Sequence, residues 1–210
     1  VRPIPLGNTI PRAMKGISQY LHEFDSRGYA ERLFDVTATR YLVDDIDILY
    51  CYIPGYVRSM KAVGQTPTVV QTGTELAIRA QQRRNEELDR LGVQDGTPVT
   101  PTPHHKRRVR SLLETDYVVA QSQFVRLSLE SAGVDNDKIR VIPPGVDTER
   151  FQPDGSSDTE SFRVLHVGQI NVLKGIPYLL DAWSKFADQR DSTLDLCGGT
   201  SATMQRLLRR

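Results

Sequence analysis

The chain has 210 residues, of which 39% are hydrophobic and 25% are charged, and its formal net charge is +1. These values exclude a chain that stays disordered through lack of apolar residues, and one that attracts nucleic acid or anionic lipid through its overall charge. They indicate a folded, water-soluble protein with a substantial hydrophobic core.

Targeting signals and cysteines give a first expectation about the compartment. No apolar run approaches the roughly 20 residues that a bilayer crossing requires, and the start, VRPIPLGN, lacks the apolar core of a secretory signal. Cys51 and Cys197 each lie in an apolar run that predicts a buried strand, where free thiols of reducing compartments are usually found. We expect a cytoplasmic protein without a disulfide or a transmembrane segment.

Short β-rich runs and longer helical runs alternate from about residue 40 to residue 150. The runs DILYCY, TPTVVQ, DYVVA and KIRVI predict strands, and YVRSMKAVG, LAIRAQQRRNEELDRLG and QFVRLSLESAG predict helices. This alternation is typical of βαβ units on a parallel sheet. The proline-rich segment Gly96 to Pro103 predicts a loop between two helices.

The run DYVVAQSQFVRLSLESAG predicts the clearest local structure. A strand from Tyr117 to Ala120 leads to Ser122 as a helix N-cap, and the helix is expected to stop at Gly133. Its apolar Phe124 and Leu127 are expected on the side opposite Ser128 and Ser131. After the strand KIRVI, the run PPGVD predicts a turn, because Pro143 and Pro144 cannot continue a sheet.

A second domain is predicted after the polar run QPDGSSDTES, residues 152–161, which has the composition of a linker. The run FRVLHV predicts a strand, GQINVL a loop, and TLDLC a second strand that ends at Gly198 and Gly199. The intervening helix is predicted from apolar residues at helical spacing: Leu179, Leu180, Trp183, Phe186 and Ala187. The chain starts at Val1 without a methionine and stops in the helical run QRLLRR, so we expect it to be cut at both ends.

The strongest candidate site is the run VGQINVLKG, between the predicted strand and helix. Gly168 permits close approach of a ligand to the backbone, and Lys174 adds a positive charge beside the helix N-terminus. Together they predict a diphosphate site at the carboxyl end of a strand. A Walker A loop is disfavoured because Lys174 precedes Gly175 and Ile176, not Ser or Thr. The purely structural alternative, in which Gly168 only ends a strand and Lys174 is a solvated residue, stays open.

Two further patterns have simpler explanations. Asp45-Ile-Asp47 resembles a metal-binding Asp-x-Asp, but these acids directly precede a strand and are better explained as loop residues. His104 and His105, followed by KRRVR, form a basic cluster without interleaved aromatic residues, so we favour a solvated helix face over a nucleic-acid or lipid site. We expect His166 to be a strand residue that faces the domain cleft or packs beside it, and Trp183 to be core.

From Asp116 to Gly199 the chain resembles the retaining group-1 (family 4) glycosyltransferases. The runs that match in order are KIRVIPPGVD, after the strand-Ser-helix unit, and HVGQINVLKG. The resemblance implies an α/β protein with two facing Rossmann-like domains, the B-type glycosyltransferase fold. Residues 1–150 would form the acceptor-side domain, residues 151–161 the linker and residues 162–210 the truncated start of the nucleotide-sugar-binding domain.

The resemblance also implies a reaction and a donor site. The reaction is hexosyl transfer from a nucleoside-diphosphate sugar to an acceptor with retained configuration, without an obligatory metal or cofactor. Gly168, Gln169, Lys174 and Gly175 would bind the donor diphosphate, although Gln169 stands where the family usually has an arginine. The acceptor, whether glycan, lipid or small molecule, is not identified, and peripheral membrane contact stays open.

Other parts of the family pattern are expected outside the chain. A glycine-rich loop would precede Val1, and two glutamates seven residues apart would follow Arg210, so the catalytic residues are unknown and the fragment alone is expected to be inactive. Two alternatives remain. One is a sugar-nucleotide epimerase of the same architecture. The other is a non-catalytic fragment or paralogue that binds a nucleotide or partner, which the missing arginine at Gln169 favours.

Overall fold

The protein is an α/β chain with parallel sheets, as the alternation of strands and helices predicts. The computed structural model describes residues 26–42, 46–93, 101–153, 162–187, 191–200 and 202–208. The chain divides into two compact units, one formed by residues 1–79 with 100–145 and the other by residues 80–99 with 146–210.

The first unit contains a four-stranded parallel sheet with the strand order β1-β2-β3-β4. In register, Val70 of β2 lies between Cys51 of β1 and Val118 of β3. The elements up to the end of this sheet are α1 Ser26–Ala38, β1 Leu49–Tyr52, α2 Val57–Ala62, β2 Thr68–Thr72, α3 Ala77–Arg90, α4 Pro103–Glu114, β3 Tyr117–Ala120, α5 Gln123–Glu130 and β4 Ile139–Val141. The predicted order of elements is confirmed.

The core of the first unit lies on one face of this sheet. Successive strand residues point to opposite faces, so alternate residues of the four strands share the buried face. Leu112 of α4 and Leu129 of α5, 0% and 1% exposed, pack against that face. The other buried members of this core are Cys51, Met60, Val70, Val118, Ala120, Val125, Val134 and Ile139.

Helix α4 begins earlier than the sequence predicts. Pro103 was expected to end a loop, but it is the first residue of α4. The reason is that proline is well suited to the first helical turn, where its missing N–H would have no helical partner. Thr102 caps the helix by accepting a hydrogen bond from the His105 N–H, at 3.3 Å. The loop prediction is therefore wrong at Pro103.

Helix α5 is confirmed, with one correction to its carboxyl-terminal end. Ser122 is its N-cap, and its hydroxyl accepts a hydrogen bond from the Val125 N–H at 3.2 Å. The helix ends at Glu130, and the chain turns through Gly133, whose φ is +87°. The buried side of α5 includes the polar Ser128, whose hydroxyl accepts from the Leu76 N–H at 3.2 Å. Phe124 and Leu127 lie on the opposite, exposed side of the helix, as predicted.

The second unit contains a two-stranded parallel sheet and the predicted helix. Its elements are β5 Phe162–Val167, α6 Ile176–Ala187, β6 Ser192–Cys197 and α7 Ala202–Leu207. Leu179 and Leu180 of α6 pack against buried Ile176. The Phe186 ring lies 5.4 Å from that of Phe162 and 5.6 Å from that of Trp183, so the apolar face of α6 covers the sheet as predicted.

The second unit also includes the carboxyl-terminal part of α3, which sequence reasoning did not anticipate. Leu88, 1% exposed, and Val93 pack with Val172. The Tyr178 hydroxyl of α6 donates a hydrogen bond to the Glu87 carboxylate, and this bond raises the pKa of Tyr178. The predicted domain boundaries at residues 150 and 162 stay predictions.

The two cysteines differ in their surroundings. Both thiols are free. Cys51 is buried as predicted, and desolvation, aided by the negative charge of Asp35, raises its pKa to about 11. Cys197 is exposed, which corrects the prediction of a buried strand residue. It ends β6 on the sheet face opposite that of Leu196, which packs with the α6 leucines.

Several predictions fall on residues outside the described part of the chain. These are the chain start, the first acid of Asp45-Ile-Asp47, most of the proline-rich loop and most of the predicted linker. Among the residues that are described, no helix combines the length and the apolarity that a bilayer crossing needs.

Candidate functional site

The carboxyl ends of β5 and β6 carry two glycines in backbone conformations that L-amino acids rarely adopt. Gly168 directly follows β5 with φ +148°, and Gly198 directly follows β6 with φ +155°. The backbones approach so closely that a Cβ on Gly198 would lie 1.7 Å from the Gly168 carbonyl oxygen. This edge of the sheet is therefore lined by bare backbone, which gives a ligand access to main-chain groups.

The loop after Gly168 is anchored at its second residue. Ile170 is 6% exposed and packs with Ile176 and Met204. Its N–H donates to the Gly199 carbonyl oxygen at 2.8 Å. This bond continues the pairing of the β5 and β6 segments beyond the ends of the two strands. Because Ile170 is fixed inward, its neighbour Gln169 is exposed.

A short turn places Lys174 at the end of this loop. Residues Val172–Lys174 form one 3₁₀ turn, which is capped by Asn171: its Oδ1 accepts from the Lys174 N–H at 3.0 Å. Gly175 then adopts a left-handed conformation with φ +72°, and α6 begins at Ile176. Lys174 is exposed and has no ion pair within the described residues.

The four predicted residues, Gly168, Gln169, Lys174 and Gly175, therefore lie in one loop at the carboxyl end of β5. One detail differs from the expected pattern, because the turn and Gly175 separate Lys174 from the first residue of α6. The helix start presents fewer N–H groups than expected, since Pro177 has none. The positive charge of Lys174 is consequently the main attraction for an anion in this loop.

Three residues of this edge were missed or given no role by the sequence reasoning. Asn171 caps the turn, and an Asn three residues before the last residue of a short turn is a recognisable capping signal. Gly198 is required by the close approach of the two strands, which no local pattern reveals. The buried Nε2 of His166 has no hydrogen-bond partner in the described part of the chain, and it lies 3.6 Å from where a Cβ on Gly168 would be.

Part of the basic cluster on α4 lies against Glu31 of α1. Glu31 of α1 lies 3.4 Å from Nδ1 of His104, 3.7 Å from Nη2 of Arg107 and 3.9 Å from Nε of Arg108. Arg108 also donates to the Pro54 carbonyl oxygen at 3.2 Å. Arg107 and Arg108 are engaged within the first unit and His104 is buried, so the predicted solvated face is wrong for these three residues. Lys106 and Arg110 are exposed, as the prediction expects.

Metal ligands do not gather in the described part of the structure. None of its His, Cys, Asp and Glu side chains form a group of three or more that could hold an ion. Asp47 is exposed and lies two residues before β1, in the loop that leads into that strand.

The parallel sheets, with glycines directly after β5 and β6, are consistent with a Rossmann-like α/β fold. A family model described as Glycosyltransferase Family 4 matches residues 95–150, which supports a glycosyltransferase of the group-1 type. The matched residues contain α4, β3, α5 and β4, and the Gly168–Gly175 loop lies outside them. No curated protein matches the chain.

Proposed function

We propose that the chain is part of a retaining glycosyltransferase whose donor is a nucleoside-diphosphate sugar. In this proposal the loop from Gly168 to Gly175 binds the donor diphosphate. The observation that carries it is the pairing of an exposed Lys174, without an ion pair in the described residues, with two strand ends that only glycine can form, Gly168 and Gly198. The family match supports the reaction class, and the loop suggests where the donor binds.

The chemistry of glycosyl transfer explains why these groups would be useful. As the glycosidic bond to the diphosphate breaks, negative charge develops on the departing phosphate oxygens. A fixed cation and N–H donors stabilise that charge more in the transition state than in the ground state. Lys174 supplies the cation, and the side-chain amide of Gln169 can supply a neutral donor.

The first unit would hold the acceptor, whose class the proposal leaves open. We place the reaction in the cytoplasm, where the free thiols of Cys51 and Cys197 would stay reduced.

The binding test compares two lysine variants by calorimetric titration of UDP, GDP and ADP into the chain. Lys174→Ala is expected to weaken binding of the preferred nucleotide roughly tenfold or more, because a charged hydrogen bond to phosphate is lost. Lys185→Ala is the matched control: it removes the same charge from the exposed face of α6, where Lys185 pairs with Asp181 at 2.7 Å. Its effect should stay below about twofold.

Either of two results would contradict the proposal: no nucleoside diphosphate binds, or both lysine variants weaken binding equally. The transfer step is tested with protein from the complete gene. There, Lys174→Ala should lower the transfer rate by roughly 10² to 10³.

A further inference from the structure

The amide groups of Gln169 and Asn171 have only one consistent orientation. The backbone N–H of Lys174 can only donate, so the Asn171 atom that faces it at 3.0 Å must be Oδ1. The other amide atom of Asn171 is then Nδ2, which can only donate. It lies 3.0 Å from the Gln169 side chain, so it must meet the oxygen Oε1 of that residue.

The Gln169 amide is thereby fixed through a chain of two hydrogen bonds that starts at the backbone. Its oxygen accepts from Asn171, and its NH₂ group remains available. Gln169 is exposed, and no hydrogen bond from this NH₂ group occurs within the described residues. An unrestrained glutamine could present either its oxygen or its NH₂ group to a ligand. In this glutamine the oxygen is held towards Asn171, so the NH₂ group is the part left available to a ligand.

We infer that Asn171 is a positioning residue that orients Gln169 as a hydrogen-bond donor to the donor diphosphate. The inference rests on the proposed function. The ionised phosphate oxygens of a nucleoside-diphosphate sugar carry no proton and only accept hydrogen bonds, so an amide oxygen facing them would repel and an NH₂ group would bind. Asn171 excludes the repulsive orientation, and it also caps the turn that ends at Lys174.

A double-mutant cycle with inorganic pyrophosphate as the probe separates orientation from turn capping. Asn171→Ser keeps a capping oxygen but has no NH₂ group to hold Gln169. Its dissociation constant should rise roughly fivefold in the wild-type background and less than about twofold in the Gln169→Ala background. Gln169→Arg should restore binding to Asn171→Ser, because a guanidinium has no acceptor side and needs no orientation.

The outcomes distinguish this inference from the proposed function. If Asn171→Ser weakens binding equally in both backgrounds, Asn171 serves the turn alone and the inference is wrong. If the wild-type chain binds neither pyrophosphate nor any nucleoside diphosphate, the proposed function fails and the inference with it.

A second measurement needs no ligand. Asn171→Asp keeps the cap, but its second carboxylate oxygen accepts where Asn171 donated, so the Gln169 amide should reverse. By NMR, the Gln169 side-chain NH₂ protons should exchange rapidly with water in the wild type and more slowly in Asn171→Asp. Slow exchange of these protons in the wild-type chain would overturn the inference.

Discussion

The amino-terminal edge of the first sheet and the carboxyl-terminal edge of the second use polar groups in opposite ways. At the amino edge, Thr68 donates from its N–H and its hydroxyl to the Asp116 carboxylate, at 2.8 Å each. The Thr115 hydroxyl donates to the Thr68 carbonyl oxygen at 3.0 Å. At the carboxyl edge of β5, Gln169 and Lys174 keep donors without partners in the described residues.

The difference separates stability from function. The satisfied network stabilises the fold because its buried hydroxyls, those of Thr68 and Thr115, form hydrogen bonds within the protein. An edge with available donors and glycine-only backbone contributes less to stability, and it is the edge where open α/β sheets bind ligands. We expect substitutions at the amino edge to lower stability, and substitutions of exposed side chains at the carboxyl edge to lower binding.

Gly198→Ala should have the largest effect and is an exception to that rule, because it alters backbone. The new Cβ would lie 1.7 Å from the Gly168 carbonyl oxygen, and φ +155° is unfavourable for alanine. We expect the second unit to lose about 3 kcal/mol or more in its free energy of unfolding. Gly199→Ala, with no atom within 4 Å of its Cβ, should change it by less than about 1 kcal/mol. Similar losses in both variants would refute the close approach.

Thr68→Val tests the amino edge. The substitution keeps the side-chain shape but removes a hydroxyl that donates to Asp116 and accepts from the Asp116 N–H at 3.1 Å. We expect a loss of about 1–3 kcal/mol in the free energy of urea unfolding, without a change in nucleotide binding. Thr193→Val, at an exposed position of β6, is the control. Its free energy of unfolding should stay within about 0.5 kcal/mol of the wild-type value. Equal losses of stability in Thr68→Val and Thr193→Val would show that the amino edge has no special role in stability.

Two lysines sharpen the comparison directly. Lys138 donates to the Thr115 carbonyl oxygen at 3.1 Å, at the amino edge. Its replacement by alanine should cost about 1 kcal/mol of stability and leave binding unchanged. Lys174→Ala should cost less than about 0.5 kcal/mol and lower binding. The reverse pattern, in thermal unfolding and calorimetry, would contradict our assignment of the two edges.

The smallest expected effect is a pH dependence that involves Asp116. Hydrogen bonds from the Thr68 N–H and hydroxyl hold the pKa of Asp116 below its ordinary value of 3.8. A carboxyl with a lowered folded-state pKa contributes stability above its unfolded pKa, and this contribution disappears as the pH falls through the folded value. Asp116→Asn should therefore unfold with a weaker acid dependence below pH ~4. If urea unfolding of the variant and of the wild type shows the same loss of stability below pH ~4, Asp116 contributes nothing to the acid dependence.

The order of elements could be predicted from the sequence because strand and helix periods are local properties. The strand Tyr117–Ala120 and the cap Ser122 are confirmed, and they depend on β-branched residues and a hydroxyl at a helix start. The loop from Gly168 to Gly175 was likewise predicted as a unit, because glycine and lysine beside a strand are visible in the sequence.

The remaining features depend on residues distant in the chain. Glu31 engages basic residues of α4 more than 70 positions away, so the cluster appeared solvated in the sequence. The requirement for Gly198 comes from the backbone of Gly168, which directly follows the neighbouring strand. The buried Ser128 hydroxyl finds its partner in the N–H of Leu76, 52 positions earlier in the chain. None of these contacts has a local signature.

The most direct test of the diphosphate site is an NMR titration of the isotope-labelled chain with the best-binding nucleoside diphosphate. The account predicts that the backbone amide signals of residues 168–175 and 198–200 shift, together with the side-chain NH₂ signal of Gln169. The signals of Thr68, Thr115 and Asp116 should stay in place. Shifts confined to the basic helix α4, or no shift at residues 168–175, would contradict it.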